Sequence, residues 1–507
     1  MDVPPRFHSP ALLSPAECAT ASHISYRIAL RDRSRAVRTN DRSLRMISTC
    51  LIVMLAFVPP YVLADAASGT RAATTDATLT TTDDPRRIRI PPRSMDDSPV
   101  LVLRGGTIID GTDADPIRNG VLVIQGDRIV SVGSRGQVKL PQEEHRVIDV
   151  SGSYLIPGLI DLHVHLAGYW KTDDVLFGDS DATAAIRGTR KLAALLDGGI
   201  TTIRDVGTRN DVALGIKQAV ERRIFDGPRV FWAGKGILAR GGHGDEIRFG
   251  TSASSQGTIH SGGPYARVAN GPEDWQLAVR ENLQQHTDLI KLFAPFSRSE
   301  VASAITEAHM QGIRVTVDAF GKYTTWAVEA GADSIEHTLN TPDEAIELMV
   351  RNGTALIPTL TTYHKLLTKG HPEAGLPSGG YYHDPHRSYE MTHEGNLEIV
   401  RKAHNAGVKI GVGTDMSFAG EESYPGAYFT EMSFLSDAGM SNREVLESAT
   451  VVGAEILGME DKLGTLQEGK LADVLVLRAS PLSDIQNARE IELVIADGRV
   501  VRGPDAD

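Results

Sequence analysis

Hydrophobic positions fall into two regimes along the chain. Near residue 100, short runs of Val and Ile punctuated by Gly begin: VLVLRGGTIIDG, GVLVIQGDRIVSVG and HRVIDVSGSYLIPG. Between VLVI and RIVSV, the Gly126-Asp127 pair predicts a tight hairpin. The same character returns in ADVLVLR (472–478) and ELVIADGRVV (492–501). Both ends are thus β-rich, and one small β domain assembled from both ends is expected. The middle instead alternates. Strand-like runs occur at Gly158–His165, Thr201–Val206, Arg229–Ala233, Asp288–Phe293, Arg314–Ala319, Ser334–His337, Ala355–Leu360 and Lys409–Thr414. Helical stretches separate most of them. In TAAIRGTRKLAALL, Ala185, Leu192 and Leu196 share one helical face.

Strands alternating with helices on this scale predict an α/β fold, a (β/α)8 TIM barrel. A doubly wound open sheet is the alternative, but no G-x-G-x-x-G follows an early strand. Two connections are unusually long, Gly236–Pro272 and Thr361–Glu394. Long structureless loops in a compact domain are usually functional lids or disordered. These two would lie on the barrel's C-terminal face, where barrel active sites lie, which favours lids.

The first 66 residues differ from the rest. Seven arginines between Arg27 and Arg45 precede an apolar run from Ile47 to Leu63, and Ala64-Asp65-Ala66 matches an A-x-A cleavage site. The order predicts a leader (1–66) with a secretory signal at about 46–66. An uncleaved anchor fits less well, because Pro59 and Pro60 interrupt a run shorter than the ~20 apolar residues a spanning helix needs. A periplasmic or secreted protein with no stable membrane span after cleavage is expected. Residues 67–98, rich in Ser, Thr, Asp and Pro, read as a flexible linker. Both cysteines, Cys18 and Cys50, lie in the leader, so any metal must be held by His, carboxylate or a modified Lys. With 52 basic against 65 acidic residues and no basic stripe, nucleic acid is not expected as a partner. A small-molecule substrate is, and a homo-oligomer is compatible with the sequence.

Candidate chemistry gathers at predicted strand ends. His163 and His165 end the first strand of the middle region. Residues i and i+2 share one side of a strand, so both imidazoles would face the barrel mouth. Paired imidazoles suit zinc or a similar cation, although an isolated H-x-H is a weak signal. Lys291 (DLIKLFAP), Asp318 (RVTVDAF), His337 (SIEHT) and Asp415 (GVGTD) end later strands. Each alone has an ordinary reading, but together they would converge on one mouth. His243, in a Gly-rich turn, and Tyr363 are candidate substrate contacts.

From about Val100 to Val501 the chain resembles the amidohydrolase superfamily, in its imidazolonepropionase-like and prolidase-like secreted branch. The resemblance rests on PGLIDLHVHL, GITTIRDVG, GPRVFWAGKGILARGGHGD, DLIKLFAP, AGADSIEHT, GTALIPTL, AGVKIGVGTD and LGTLQEGKLADVLVL. It implies a barrel over 158–459 flanked by a β-sandwich built from 99–157 and 460–507. It implies His163, His165 and Asp415 on one metal, His337 on a second, and Lys291 as a carbamate bridging them, with zinc as the expected cofactor in one or two copies. Where the family pattern places His at the end of the fifth strand, this chain has Asp318. That carboxylate either ligates the second metal or leaves a one-metal site. The implied reaction is hydrolysis of a C–N amide bond, of a dipeptide or N-acyl amino acid, by metal-bound hydroxide with Asp415 as general base and then acid. His243, Tyr363, Lys365 and Arg387 on the long connections are donors suited to a substrate carboxylate. The alternatives are a cyclic amide, lactone or organophosphate ester hydrolase, and a non-catalytic binding protein with a decayed metal site.

Overall fold

The computed structural model describes residues 98–142, 145–167, 180–240, 266–369, 381–384, 389–417 and 424–503. The expected leader with its signal segment, both cysteines and nearly all of the expected 67–98 linker lie outside these residues. Among the described residues, no helix is long and apolar enough to cross a membrane.

The two ends of the chain fold onto one another. Strands Val100–Arg104, Gly120–Gln125, Arg128–Ser134 and His145–Asp149 form one sheet. Thr107–Ile108, Tyr154–Pro157, Val474–Leu477, Ile491–Ala496 and Arg499–Arg502 form another. Residues of both sheets share one buried cluster, with Leu103, Leu122 and Ile124 from the first and Leu155, Val474 and Ile495 from the second. Pairing of Gln125 with Arg128 leaves Gly126-Asp127 as the expected two-residue turn, with Gly126 at φ 60°. A second hairpin tip approaches it so closely that a Cβ on Gly498 would lie 1.8 Å from the Gly126 carbonyl oxygen.

The middle region is α/β, its strands parallel. Leu159–His165 pairs with Ile200–Asp205, which pairs with Arg229–Trp232. Leu289–Phe293 pairs with Arg314–Asp318, then Ser334–Glu336, then Ala355–Ile357. Backbone hydrogen bonds link these sets at both ends. Asp288 N–H donates to the Trp232 carbonyl at 2.9 Å. Leu356 N–H donates to Lys409, and Leu162 N–H to Val412, at 2.8 and 2.9 Å. The segment 409–414 makes an isolated parallel bridge, Leu356 with Ile410, rather than the full strand expected. Gly413 allows this close approach, since a Cβ there would lie 2.9 Å from His163 Cβ and 2.3 Å from Ile357 Cγ2.

Helices cover the strands, several with defined starts. Ser297 with Glu300 and Ser441 with Glu444 form capping boxes on helices Arg298–Met310 and Asn442–Ser448. Two expectations need correction. The stretch from Thr183 to Leu196 is two helices, Asp181–Thr189 and Leu192–Asp197, and buries Ala184 and Gly188, then Leu192, Leu195 and Leu196. Ala185 is only half-buried, because the break resets the helical phase. The long connections are also not structureless. The first carries the parallel strands Gly236–Leu238 and Ala266–Val268, and the second opens with helix Leu360–Lys369 and contains strands Tyr381–Asp384 and Tyr389–Thr392.

Candidate active site

The strand Leu159–His165 alternates two kinds of side chain. Leu162 and Val164 join apolar clusters, so Asp161, His163 and His165 point to the opposite side. Their neighbours decide which nitrogen of each ring carries the proton. His165 Nδ1 lies 2.8 Å from the Gly207 carbonyl, which can only accept, so Nδ1 donates. His163 Nδ1 lies 2.5 Å from Glu336 Oε2 and donates to that carboxylate. Both Nε2 atoms therefore face Asp415 Oδ1, at 3.4 Å from His163 and 3.3 Å from His165. These gaps exceed the usual 2.7–3.2 Å of an N–H···O bond. The ligand atoms of the three residues lie within 4.8 Å of one another.

A second group repeats the arrangement. Thr359 Oγ1 donates to the Pro358 carbonyl, so it accepts from His337 Nδ1 at 2.6 Å. His337 Nε2 then faces Asp318 Oδ2 at 3.5 Å. The His163 and His337 ring centroids are 4.9 Å apart, and Tyr363 packs edge-on against His337 at 5.1 Å. Lys291 is fully buried, and its Nζ has no hydrogen-bond partner; the ring of Phe293 lies 4.9 Å away. Three non-glycine residues here hold left-handed backbone: His337 (φ 70°), Thr359 (φ 52°) and Asp415 (φ 48°). Such strain costs on the order of 1–3 kcal/mol per residue and concentrates at functional sites.

Burial dominates the electrostatics. It pushes the Lys291 amine below the usual lysine range, overriding the nearby carboxylates of Glu336, Asp318 and Asp415. It also lowers His163, with the charge of Lys291 acting in the same sense. Burial alone would raise the Asp415 carboxyl, but positive charge or a proton shared with the facing nitrogens of His163 and His165 holds it well below its ordinary value, and a cation between these groups would act in the same sense. Lone pairs of nitrogen facing carboxylate oxygens across short gaps, beside a buried amine with no partner, form a donor set that fits a divalent cation. The set is all nitrogen and oxygen, as borderline cations accept.

All six ligand candidates, His163, His165, Lys291, Asp318, His337 and Asp415, meet in this one region. Tyr363 joins them because its helix is tied down locally. Glu431 accepts the backbone N–H of Leu360 and Thr361, and Thr362 Oγ1 donates to the carbonyls of Thr414 and Asp415. His243 and Arg387 lie outside the described residues. Several supporting residues escaped the sequence reading. Glu336 accepts from the His163 ring and is itself held by Arg204, and Asp161 accepts from the backbone N–H of His163 and Thr414. Asp205 accepts from Leu166 and Gly207, shaping the turn that receives His165. Strand alternation carried a usable signal for Glu336, two residues from the inward-facing Ser334.

The model of the Amidohydrolase family matches residues 154–501. Among curated proteins, ochratoxinase from Aspergillus niger is 27% identical over 450 residues, covering 81% of this chain and 88% of its own. A solved prolidase complexed with N-methylphosphonate-L-proline is 31% identical, with a TM-score of 0.68 over 80% of this chain and all of that one. A Xaa-Pro dipeptidase with methionine in its active site is 27% identical, with a TM-score of 0.69 over the same shares. The matched segment contains every ligand candidate, and the chain belongs to the amidohydrolase family, as a hydrolase acting on carbon–nitrogen bonds.

Proposed function

We propose that this protein is a secreted, metal-dependent hydrolase that cleaves the amide bond of a dipeptide or N-acyl amino acid. The observation that carries the reading is shared by three histidines. Each gives its Nδ1 proton to a fixed acceptor and turns Nε2 towards a carboxylate of Asp415 or Asp318. Two lone-pair-bearing groups facing each other are repulsive unless a cation or proton lies between them. His163, His165 and Asp415 would hold one cation, and His337 and Asp318 a second, zinc being suited to this donor set. Such a cation polarises a carbonyl and lowers the pKa of its water from 15.7 towards ~7.

The chain's own groups would do the rest. A carboxylate of Asp415 accepts the proton of the attacking water and delivers it to the leaving nitrogen. The amine of Lys291, whose neutral form burial favours, would add to CO2, forming an N–C bond and releasing one proton. The carbamate would put a carboxylate in place of the amine and so offer the centre another oxygen ligand. Tyr363, beside His337, faces the region a substrate would enter.

The frame fits this reading. The backbone links through Asp288, Lys409 and Val412 support a (β/α)8 barrel over 158–459, with the site at the C-terminal ends of its strands. The buried cluster shared by the terminal sheets supports a β-sandwich from 99–157 and 460–507. The names of the similar proteins, a prolidase and a Xaa-Pro dipeptidase, favour substrates with a free carboxylate. The test is turnover of a dipeptide and N-acyl amino-acid panel against the matching C-terminal amides. The acids are expected to be cut far faster, since His243, Lys365 and Arg387, if they pair with the substrate carboxylate, would lose that partner with the amide. Equal rates overturn the substrate assignment.

A further inference from the structure

We infer that Glu336 is a positioning residue that sets the proton of the His163 ring on Nδ1 and so keeps Nε2 open towards Asp415. The inference rests on the metal reading above for its consequence but on hydrogen bonding alone for its premise. Glu336 is fully buried on the strand Ser334–Glu336, and its two oxygens have separate tasks. Oε1 accepts from Arg204 Nη2 at 2.6 Å and from Thr316 Oγ1, while Ser334 Oγ, 3.3 Å away, gives its one proton to Thr316 Oγ1 at 2.8 Å. Oε2 meets His163 Nδ1. Arg204 is itself fixed, its Nε donating to the Leu162 carbonyl at 2.5 Å and Nη1 to Ser334 Oγ at 3.1 Å. The carboxylate is thus clamped by donors from two other strands, with one oxygen left for the imidazole. A ring bonded to an anion through Nδ1–H presents a lone pair at Nε2, and outer partners of this kind orient metal-binding histidines. The adjacent His337 belongs to the other ligand group, so one strand orders both groups.

The clamp makes Glu336→Gln informative despite its unchanged shape. Arg204, which can only donate, demands an oxygen at the Oε1 position, and Thr316 donates there too, so the amide NH2 falls opposite His163 Nδ1. An NH2 group can only donate. His163 must then accept at Nδ1 and carry its proton on Nε2, the atom facing Asp415.

The experiment uses the full protein after chelation, with nitrogen-15 labelled histidine and the His163 signal assigned by its loss in His163→Ala. Wild type is expected as the Nδ1–H tautomer and Glu336→Gln as the Nε2–H tautomer. Zinc affinity, measured by competition with a chromophoric chelator, is expected to fall about 10- to 100-fold in Glu336→Gln. Glu336→Asp, which keeps an anionic acceptor, is expected to recover part of that loss. A merely structural role would move thermal stability without changing the tautomer. If Glu336→Gln does not fold, Thr316→Val, which removes one donor to Oε1, is expected to weaken zinc binding in the same sense by less than tenfold; unchanged affinity there overturns the inference. Nε2–H in wild type, or Nδ1–H retained in Glu336→Gln, also overturns it. A wild type that binds no zinc defeats the metal reading instead, while the tautomer measurement still decides the role of Glu336.

Discussion

Lys291→Met separates a buried lysine that only fills space from one that serves a metal centre. The substitution keeps a flexible apolar stem and removes Nζ, which is fully buried and lacks a hydrogen-bond partner. A buried polar group left without a partner costs about 1–3 kcal/mol. The lowered pKa of Lys291 says that burial outweighs the attraction of the surrounding carboxylates. In chelated protein the substitution therefore relieves a penalty. Unfolding entropy of about 2.1 cal/mol/K per residue makes 1 kcal/mol equivalent to roughly 1 °C over the roughly 400 residues of the segment 98–503. The chelated variant should melt about 1–3 °C above chelated wild type. With zinc the sign reverses. Free metal at a hundredfold excess over its dissociation constant stabilises the native state by about 2.7 kcal/mol, and a variant that has lost the bridge forgoes most of this. Differential scanning fluorimetry with chelator and with added zinc, beside an amide-hydrolysis assay, reads both arms. Activity should vanish, and in Lys291→Ala, which leaves the space that Met fills, small carboxylic acids should restore it in part. Equal shifts in both conditions, or full activity with unchanged metal content, would refute the reasoning.

Three further outcomes are expected. Asp318→Ala should lower bound metal from two equivalents to one, and Asp318→His should move the rise of the pH–rate profile to lower pH; one equivalent in both wild type and Asp318→Ala rules out ligation by this carboxylate. Burial raises Glu431 from an ordinary 4.5 to about 7, opposed by its bonds from Leu360 and Thr361 and reinforced by Asp161. A carboxyl whose folded pKa is raised contributes stability that is complete below its unfolded value and is lost as pH rises through the folded one. Chelated wild type should thus lose up to about 1.4 kcal/mol per pH unit more than Glu431→Gln between pH 5 and 7, and parallel stability curves would contradict this. N-terminal sequencing of exported protein should begin near Ala67, whereas an intact Met46–Leu63 segment would favour an anchor.

The ligand candidates were legible because strand periodicity is simple. Polar residues ending apolar runs, such as Lys291 in DLIKLFAP, have few places to point once neighbours on either side enter a core. Most strand boundaries of the middle region fell within a residue for the same reason, but the expected strand Ala355–Leu360 ends at Ile357 and Leu360 opens a helix instead. The segment 409–414 was harder, since its partners on both sides are distant in sequence and Gly411 and Gly413 weaken any propensity. The split between Thr189 and Leu192 was hidden because one periodic apolar pattern describes two helices as well as one. The clamp of Arg204, Thr316 and Ser334 around Glu336 could not be read locally, as its members come from three strands. Glu336 itself reads as a strand-end acid beside a more conspicuous histidine. Tyr363 was placed by a buried carboxylate, Glu431, some seventy residues away.

The central claim is that these six residues form a metal centre that hydrolyses C–N bonds. It is tested most directly by titrating chelated protein with zinc while following dipeptide or N-acyl amino-acid hydrolysis. The account predicts negligible turnover without metal, rising to a plateau at one or two equivalents and abolished in His163→Ala. Turnover that survives chelation unchanged, or a wild type that takes up zinc no better than His163→Ala, would contradict it.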